Sequence, residues 1–104
     1  MNDDVLLTLD DNYFNWDKNK NLLNIERHGI SFKEAATVFL DPNAALMDDA
    51  IHSLDEDRFK IIGHSEKLNL LMVCHCYREN GEIIRIISAR KATKAEEGFY
   101  GGAK

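Results

Sequence analysis

The segment "EIIRIISARKATKAE", residues 82–96, sets four isoleucines around Arg85 and then opens onto Ser88, Arg90 and Lys91. The same half of the chain carries Arg58, Lys60, His64, His75 and Tyr77. These residue types suit cleavage of RNA, which brings its own nucleophile, the 2′-hydroxyl. A protein then needs a base for that proton, cations to hold the scissile phosphate as charge develops, and an acid for the leaving 5′-oxygen. Histidine, glutamate or tyrosine can move the protons, and arginine and lysine carry the charge. Many small domains own such an inventory, so it selects the chemistry only in company with other signals.

Competing schemes lack their residues. The chain has no G-x-x-x-x-G-K-[ST] or G-x-G-x-x-G loop for nucleotide phosphates and no G-x-S-x-G elbow. In "CHC", residues 74–76, strand alternation turns His75 away from Cys74 and Cys76, the wrong arrangement for one tetrahedral metal. The run Asp55, Glu56, Asp57 offers oxygen ligands for a hard cation, but such runs in loops are more often solvated or paired with bases. No metal and no cofactor are expected.

The elements that must position these residues follow from periodicity. "YFNWD" reads as a short strand with Phe14 and Trp16 on one side, and Asp17 as the cap of a helix over residues 18–27. Leu22, Leu23 and Ile25 are expected on that helix's buried side, and Gly29 ends it behind the cations Arg27 and His28. Ser31 and Glu34 form a capping box for a second helix through Phe39, with Phe32, Ala35, Ala36 and Phe39 on one stripe; Pro42 stops it. The period then drops to two, giving strands in "AALMDDA", "DRFKIIGHS", "NLLMVCHCYR" and "EIIRIISAR". Asn80 and Gly81 signal a hairpin between the last two. Thr93 caps a final helix carrying Phe99 and Tyr100. The expected class is α+β, an antiparallel sheet with two N-terminal helices packed on one face and a C-terminal helix.

Strict alternation assigns each strand one apolar and one mixed face. The mixed faces would carry Arg58, Lys60, His64, His75, Tyr77 and Arg85 on the side away from the helices. Each residue also has an ordinary structural reading. A mid-strand arginine is often a cross-strand ion-pair partner, and solvent-facing sheet surfaces are polar.

The chain has 104 residues, 44% of them apolar and 30% charged, which describes one globular domain. No apolar run approaches the ~20 residues of a membrane span, and "MNDDVLLTLDD" is acidic where a signal peptide is basic. Cys74 and Cys76 point outward in parallel, a poor disulfide geometry. A cytoplasmic protein without membrane contact is expected. The net charge of −5 hides a gradient. Residues 1–57 hold 13 acids and four bases, a balance of −9, whereas residues 58–104 hold nine bases and five acids, a balance of +4. The second half can therefore present a positive surface. Residues 1–12 read as an acidic leader, loosely attached, ahead of a single domain over 13–104.

Three blocks carry a resemblance: "FNWDKNKNLLNIERHGISFKEAATVF", "DEDRFKIIGHS" and "LLMVCHCYRENGEIIRIISARKATKAE". The patterns F-x-W-D, K-x-x-x-N, H-G-x-S-F and R-I-I-S-A-R-[KR]-A-T, in this order over residues 14–100, resemble the BrnT family. Its members are toxins of type II toxin–antitoxin pairs, ribonucleases of RelE-like fold. Three features depart from the pattern: Arg27 where lysine is frequent, a last helix poorer in arginine, and the acidic leader.

The resemblance implies a metal-independent endoribonuclease that blocks translation by cutting RNA. It implies neutralisation by a BrnA-type antitoxin in a hetero-oligomer that contacts DNA only through the antitoxin and represses its own operon. Matching positions are Lys20, Asn24, His28, Glu56, Arg58, Arg85, Ser88, Arg90 and Lys91. Arg58, Arg85, Arg90 and Lys91 are then candidate phosphate clamps, and His28 or Glu56 the proton-transfer group. Lys20, Lys60, His75, Tyr77, Ser88 and Tyr100 are candidate RNA contacts. Structural alternatives stand beside these: His28 as a helix-end cation, Lys20 and Asn24 ordering one helix face, Ser88 bonding a turn. The alternative function is a catalytically degenerate toxin that acts only by docking its DNA-binding partner.

Overall fold

Asp17 ends a strand and starts a helix in one residue. Its Oδ1 accepts hydrogen bonds from the N–H groups of Asn19 (2.8 Å) and Lys20 (3.0 Å), satisfying donors that open a helix. The computed structural model describes residues 3–49 and 57–101. In chain order it has β1 (Asp4–Leu9), β2 (Asn12–Asp17), α1 (Lys18–His28), α2 (Phe32–Thr37), a 3₁₀ turn (Val38–Leu40), β3 (Ala45–Asp48), β4 (Phe59–His64), β5 (Leu70–Arg78) and β6 (Ile83–Lys91). The strands form one sheet in the order β1-β2-β6-β5-β4-β3. The class is α+β. Among the described residues no helix is long and apolar enough to cross a membrane.

Three expectations are corrected. Residues 4–9 are not a loose leader but an edge strand, paired antiparallel with β2 from Asp4↔Asp17 to Leu9↔Asn12. Val5, Leu7 and Leu9 alternate onto the core while the acids stay outside. The sheet is not wholly antiparallel, because β2 runs parallel to β6 over Tyr13↔Ile83, Phe14↔Ile84 and Asn15↔Arg85. The C-terminal helix is a single 3₁₀ turn, Glu96–Phe99. Its start box forms, with the Thr93 N–H donating to Glu96 Oε1 (2.8 Å) and the Glu96 N–H to Thr93 Oγ1 (3.3 Å). Gly98 and Gly101, the latter at φ +89°, then disfavour helical continuation.

The core forms where Phe32, Ala35, Ala36 and Val38 meet Phe14, Trp16, Ile61, Leu71, Val73 and Ile86. Ser31 Oγ accepts the Glu34 N–H at α2's start, as the spacing predicts. The Glu34 side chain turns instead to Ser65 Oγ (2.6 Å) and Asn69 Nδ2 (2.8 Å), tying α2 to the turn after β4. Gly63 allows the 3₁₀ turn to lie on β4. A Cβ there would stand 2.9 Å from both Ala44 Cβ and Val38 Cγ1.

Helix α1 docks differently from expectation. Leu22, Leu23 and Ile25 are 55%, 46% and 40% exposed, and the buried residue is Asn24. Asn24 Nδ2 donates to the carbonyls of Ile30 and Ala89, both at 2.8 Å, and its Oδ1 accepts the Ala89 N–H at 3.1 Å. Asn21 Oδ1 accepts the Phe32 N–H at 2.8 Å. The inward stripe is thus polar, Asn21 and Asn24, and an apolar-periodicity reading selects the wrong side. Gly29, at φ +70°, closes the helix by donating to the Ile25 carbonyl.

Replacing Asn24 by leucine keeps the volume and strands the Ala89 N–H and two carbonyls in a buried site. We expect Asn24→Leu to lose about 3 kcal/mol of unfolding free energy, measured by urea titration. A loss below about 1 kcal/mol would show that water replaces the amide there.

Candidate active site

β5 and β6 pair in register from Leu71↔Lys91 to Cys74↔Ser88 and again from His75↔Ile86 to Arg78↔Ile83. Ile87 is the extra residue between them, a β-bulge in β6. A strand that gains one residue on one side of a pair inverts its facing beyond that point. Ser88 and Arg90 therefore share a face with Cys74, Met72 and, across β4, Lys60, while Ala89 turns to the core. On the other side of the bulge Ile84 and Ile86 face the core, and Arg85 lies opposite Cys76 and Asn15.

Between this open face and the end of α1 lies a cleft of about 320 Å³. It is lined by His28, Asp49, Arg58, Lys60, Met72, Cys74, Ile87, Ser88, Ala89 and Arg90. Five expected residues, His28, Arg58, Lys60, Ser88 and Arg90, are brought together here. His28 comes from the last turn of α1, Lys60 from β4, and Ser88 and Arg90 from β6. Three cations and an imidazole around one concave site, with the Asp49 carboxylate beside them, have the chemistry to bind an anionic group.

Arg90 is itself held. Its Nη1 and Nη2 donate to Glu96 Oε1 (2.8 Å) and Oε2 (2.9 Å), and Nη1 also donates to the Lys91 carbonyl (3.2 Å). The hydrogen bond from Arg90, with help from Thr93, holds the Glu96 carboxyl down to about 2, against the opposing effect of burial. The pair also raises Arg90 further above its ordinary value.

The sequence reading missed Asp49, Cys74 and Glu96. Asp49 follows β3, is buried, and its N–H donates to the Arg58 carbonyl at 2.9 Å. Only the pairing of β3 with β4 brings it beside Arg58. The Cys74 thiol donates to Asp49 Oδ2 at 3.7 Å; burial, then the neighbouring carboxylate, push this thiol up to about 11, so it stays protonated.

The other expected site residues lie elsewhere. His75 is fully buried in the core, its ring edge-on to Phe39 (4.9 Å) and Tyr77 (5.4 Å). Burial pushes it down to about 4, so it is neutral at neutral pH and holds no phosphate. Tyr77 shares that face, packed on Phe59. The expected mixed face breaks up because Lys60 aligns with Cys74, which places His75 and Tyr77 on the opposite, helix-covered side. Arg85 donates through Nη1 and Nη2 to Asp4 (3.0 and 3.2 Å) and through Nη1 to Asn15 (3.3 Å), outside the cleft lining.

Lys91 lies opposite buried Leu71, on the reverse face from Arg90, and Lys20 is exposed on α1's first turn. Tyr100 donates to Asp41 Oδ2 (2.7 Å) and packs edge-on against His64 (4.7 Å), also away from the cleft. Burial works to raise Asp41, but hydrogen bonds from the N–H groups of His64 and Asn43 and from Tyr100 outweigh it and hold the carboxyl below its ordinary range. Glu56 lies outside the described residues.

Comparison with known proteins agrees with the fold and the sequence blocks. Residues 16–96 match the family described as "Ribonuclease toxin, BrnT, of type II toxin-antitoxin system". The fold is similar to the crystal structure of the Brucella abortus ribonuclease toxin BrnT, with a TM-score of 0.57 and 25% identity, covering 76% of this chain and 94% of that one. No curated protein sequence matches the chain.

The depressed His75 value has a signed consequence. The unfolded imidazole titrates near 6.5 and the folded one near 4. Below pH 6.5 the unfolded chain binds the proton that the core refuses. Stability contributed by neutral His75 is present above 6.5 and is lost as pH falls toward 4. The loss should be on the order of 3 kcal/mol, and His75→Leu should flatten this part of the profile. Urea unfolding at pH 7.0, 5.5 and 4.5 measures it; an equal slope in wild type and variant would refute the assignment.

Proposed function

Because the chain belongs to the BrnT family of type II ribonuclease toxins, we propose that it is a RelE-like, metal-independent endoribonuclease that works in the cleft between α1 and the open sheet face. The observation that carries this reading is the convergence of His28, Arg58, Lys60, Ser88 and Arg90 from separate elements on one concave site. A type II toxin has a protein antitoxin as partner. We further propose that this partner is of BrnA type, that it forms a hetero-oligomer with the chain in the cytoplasm, and that the complex meets DNA through the antitoxin and represses its own operon.

The cleft supplies the parts that RNA cleavage requires. Arg58, Lys60 and Arg90 take the scissile phosphate and the charge that grows on it, the role a metal ion fills in other nucleases. His28 accepts the 2′-hydroxyl proton as the 2′-oxygen attacks phosphorus. The bond to the 5′-oxygen breaks, and that oxygen takes up a proton from water. The products are a 2′,3′-cyclic phosphate and a 5′-hydroxyl. Ser88, on the same face as Arg90, offers a hydrogen bond to the phosphate or ribose. Arg85 supports the site only indirectly, by tying β6 to β1 through Asp4.

Two measurements test this. Purified protein should cleave RNA in EDTA and leave 2′,3′-cyclic or 3′-phosphate ends; dependence on added magnesium, or 3′-hydroxyl ends, would rule out the mechanism. Induction in a bacterial host should stop growth, and co-expression of the adjacent antitoxin gene should restore it. Soluble protein that neither cuts RNA nor slows growth would favour the degenerate, partner-docking alternative.

Arg58→Ala and Arg90→Ala should each lower cleavage by about 100-fold, as loss of a preorganised charge stabiliser does. Arg85→Ala should lower cleavage less and the thermal midpoint more. Wild-type cleavage in Arg90→Ala would remove Arg90 from the clamp.

A further inference from the structure

Arg90 presents five N–H groups, and three are spent within the protein. Nη1 gives one hydrogen to Glu96 Oε1 and one to the Lys91 carbonyl, and Nη2 gives one to Glu96 Oε2. The two that remain, Nε–H and the second Nη2 hydrogen, lie side by side and form the other parallel fork of the guanidinium. Among the described residues no partner is recorded for that fork. Arg90 lines the cleft and Glu96 does not. The carboxylate thus grips the guanidinium from behind and leaves its second edge for a ligand.

Glu96 is anchored independently of Arg90. Its Oε1 also accepts the Thr93 N–H, and its own N–H donates to Thr93 Oγ1. The segment beyond is pinned where Tyr100 donates to Asp41 and the Gly101 N–H to the Asn43 carbonyl at 3.2 Å. A carboxylate fixed at both ends cannot follow the arginine toward the cleft. The guanidinium therefore loses its rotamer freedom before a substrate arrives rather than on binding.

We infer that Glu96 is the positioning residue for Arg90, fixing its guanidinium end-on so that the Nε–H/Nη2–H edge meets two oxygens of one RNA phosphate in the cleft. The inference rests on the ribonuclease reading above and adds to it a geometry for phosphate capture and a residue that acts only through another. A carboxylate beside a phosphate clamp is usually a cost, since it offsets the clamp's charge. Here it orients the planar, bidentate group whose geometry a phosphate requires.

The test is a double-mutant cycle on the full chain. Single-turnover cleavage of one defined RNA is measured for wild type, Glu96→Ala, Glu96→Gln, Arg90→Ala and Arg90→Ala with Glu96→Ala. Affinity for the 2′-O-methyl form of the same RNA, which cannot be cut, is measured in parallel, with thermal midpoints alongside. Glu96→Ala should slow cleavage at saturating RNA by at least about tenfold, a cost typical of a misplaced catalytic group. In the Arg90→Ala background it should cost less than about twofold. Glu96→Gln keeps an oxygen for the Thr93 N–H and should fall between.

Equal losses in both backgrounds would mean that Glu96 serves only the turn at residues 93–99, and would overturn the inference. So would unchanged or increased cleavage in Glu96→Ala, the latter showing that the carboxylate competes with phosphate. If wild type cuts no RNA the ribonuclease reading fails by itself. The affinities then decide the positioning role, which requires that Glu96→Ala weaken binding only when Arg90 is present.

Discussion

β6 loses its neighbour halfway along. β2 runs beside it only as far as Arg85 and then turns into α1, so the far half of β6 would expose backbone donors and acceptors on that side. Asn24 resolves this. Its amide takes the Ala89 N–H and gives a hydrogen to the Ala89 carbonyl, as a residue of an adjacent strand would. The second amide hydrogen reaches Ile30, which fixes the chain between the two helices. One buried side chain thus sets the height of α1 against the sheet, and the turn after Asn24 brings His28 over the cleft. Ala89, the residue it grips, lies between Ser88 and Arg90, so both walls of the cleft take their position from the same three hydrogen bonds.

Much of this fold is legible in the chain. The Asp17 and Ser31 caps, the Gly29 stop, the Phe32-Ala35-Ala36 stripe, the five strands β2 to β6 and the turn at Asn80 follow from local rules whose physics stays local. The face of α1 does not, because it docks by hydrogen bonds, and hydrophobic periodicity ranks asparagine among the outward residues. β1 is hidden by composition: four acids in the first 11 residues draw attention from the alternation of Val5, Leu7 and Leu9. The site is half legible for a different reason. His28, Arg58, Lys60, Ser88 and Arg90, picked out by residue type, line one cleft. Alternation counted along a single strand nevertheless groups Arg58 and Lys60 with His75, which is buried in the core, and with Tyr77, which lies on the opposite face of the sheet. Asp49 and Glu96 become visible only when strands and turns from separate parts of the chain are placed side by side.

The charge gradient along the chain is also reworked by the fold. The acidic N-terminus does not stay apart from the basic second half, since Asp4 neutralises Arg85. Within the second half, Glu96 engages Arg90. Arg58, Lys60 and Arg90 nevertheless meet around one cleft, with Asp49 beside them. The net charge of −5 therefore does not describe the balance of charge at that one place.

The extra residue at Ile87 has a consequence for how this chain can change over evolutionary time. The sequence on its far side is written in the opposite phase from the sequence before it. Removing one residue between Ile86 and Ser88 would restore regular pleating, which looks like a repair of the sheet. Ser88 would then follow Ile86 directly, still opposite Cys74, and Ala89 and Arg90 would keep their faces. Flattening the bulge at full length is the damaging change, because it would send Ser88 and Arg90 into the hydrophobic layer and turn Ala89 outward. The bulge is thus written into the residue types on its two sides, and a strand one residue shorter is its regular equivalent. Relatives are therefore expected either to keep the spacing from Arg85 to Arg90 together with the bulge, or to be one residue shorter there and regularly pleated.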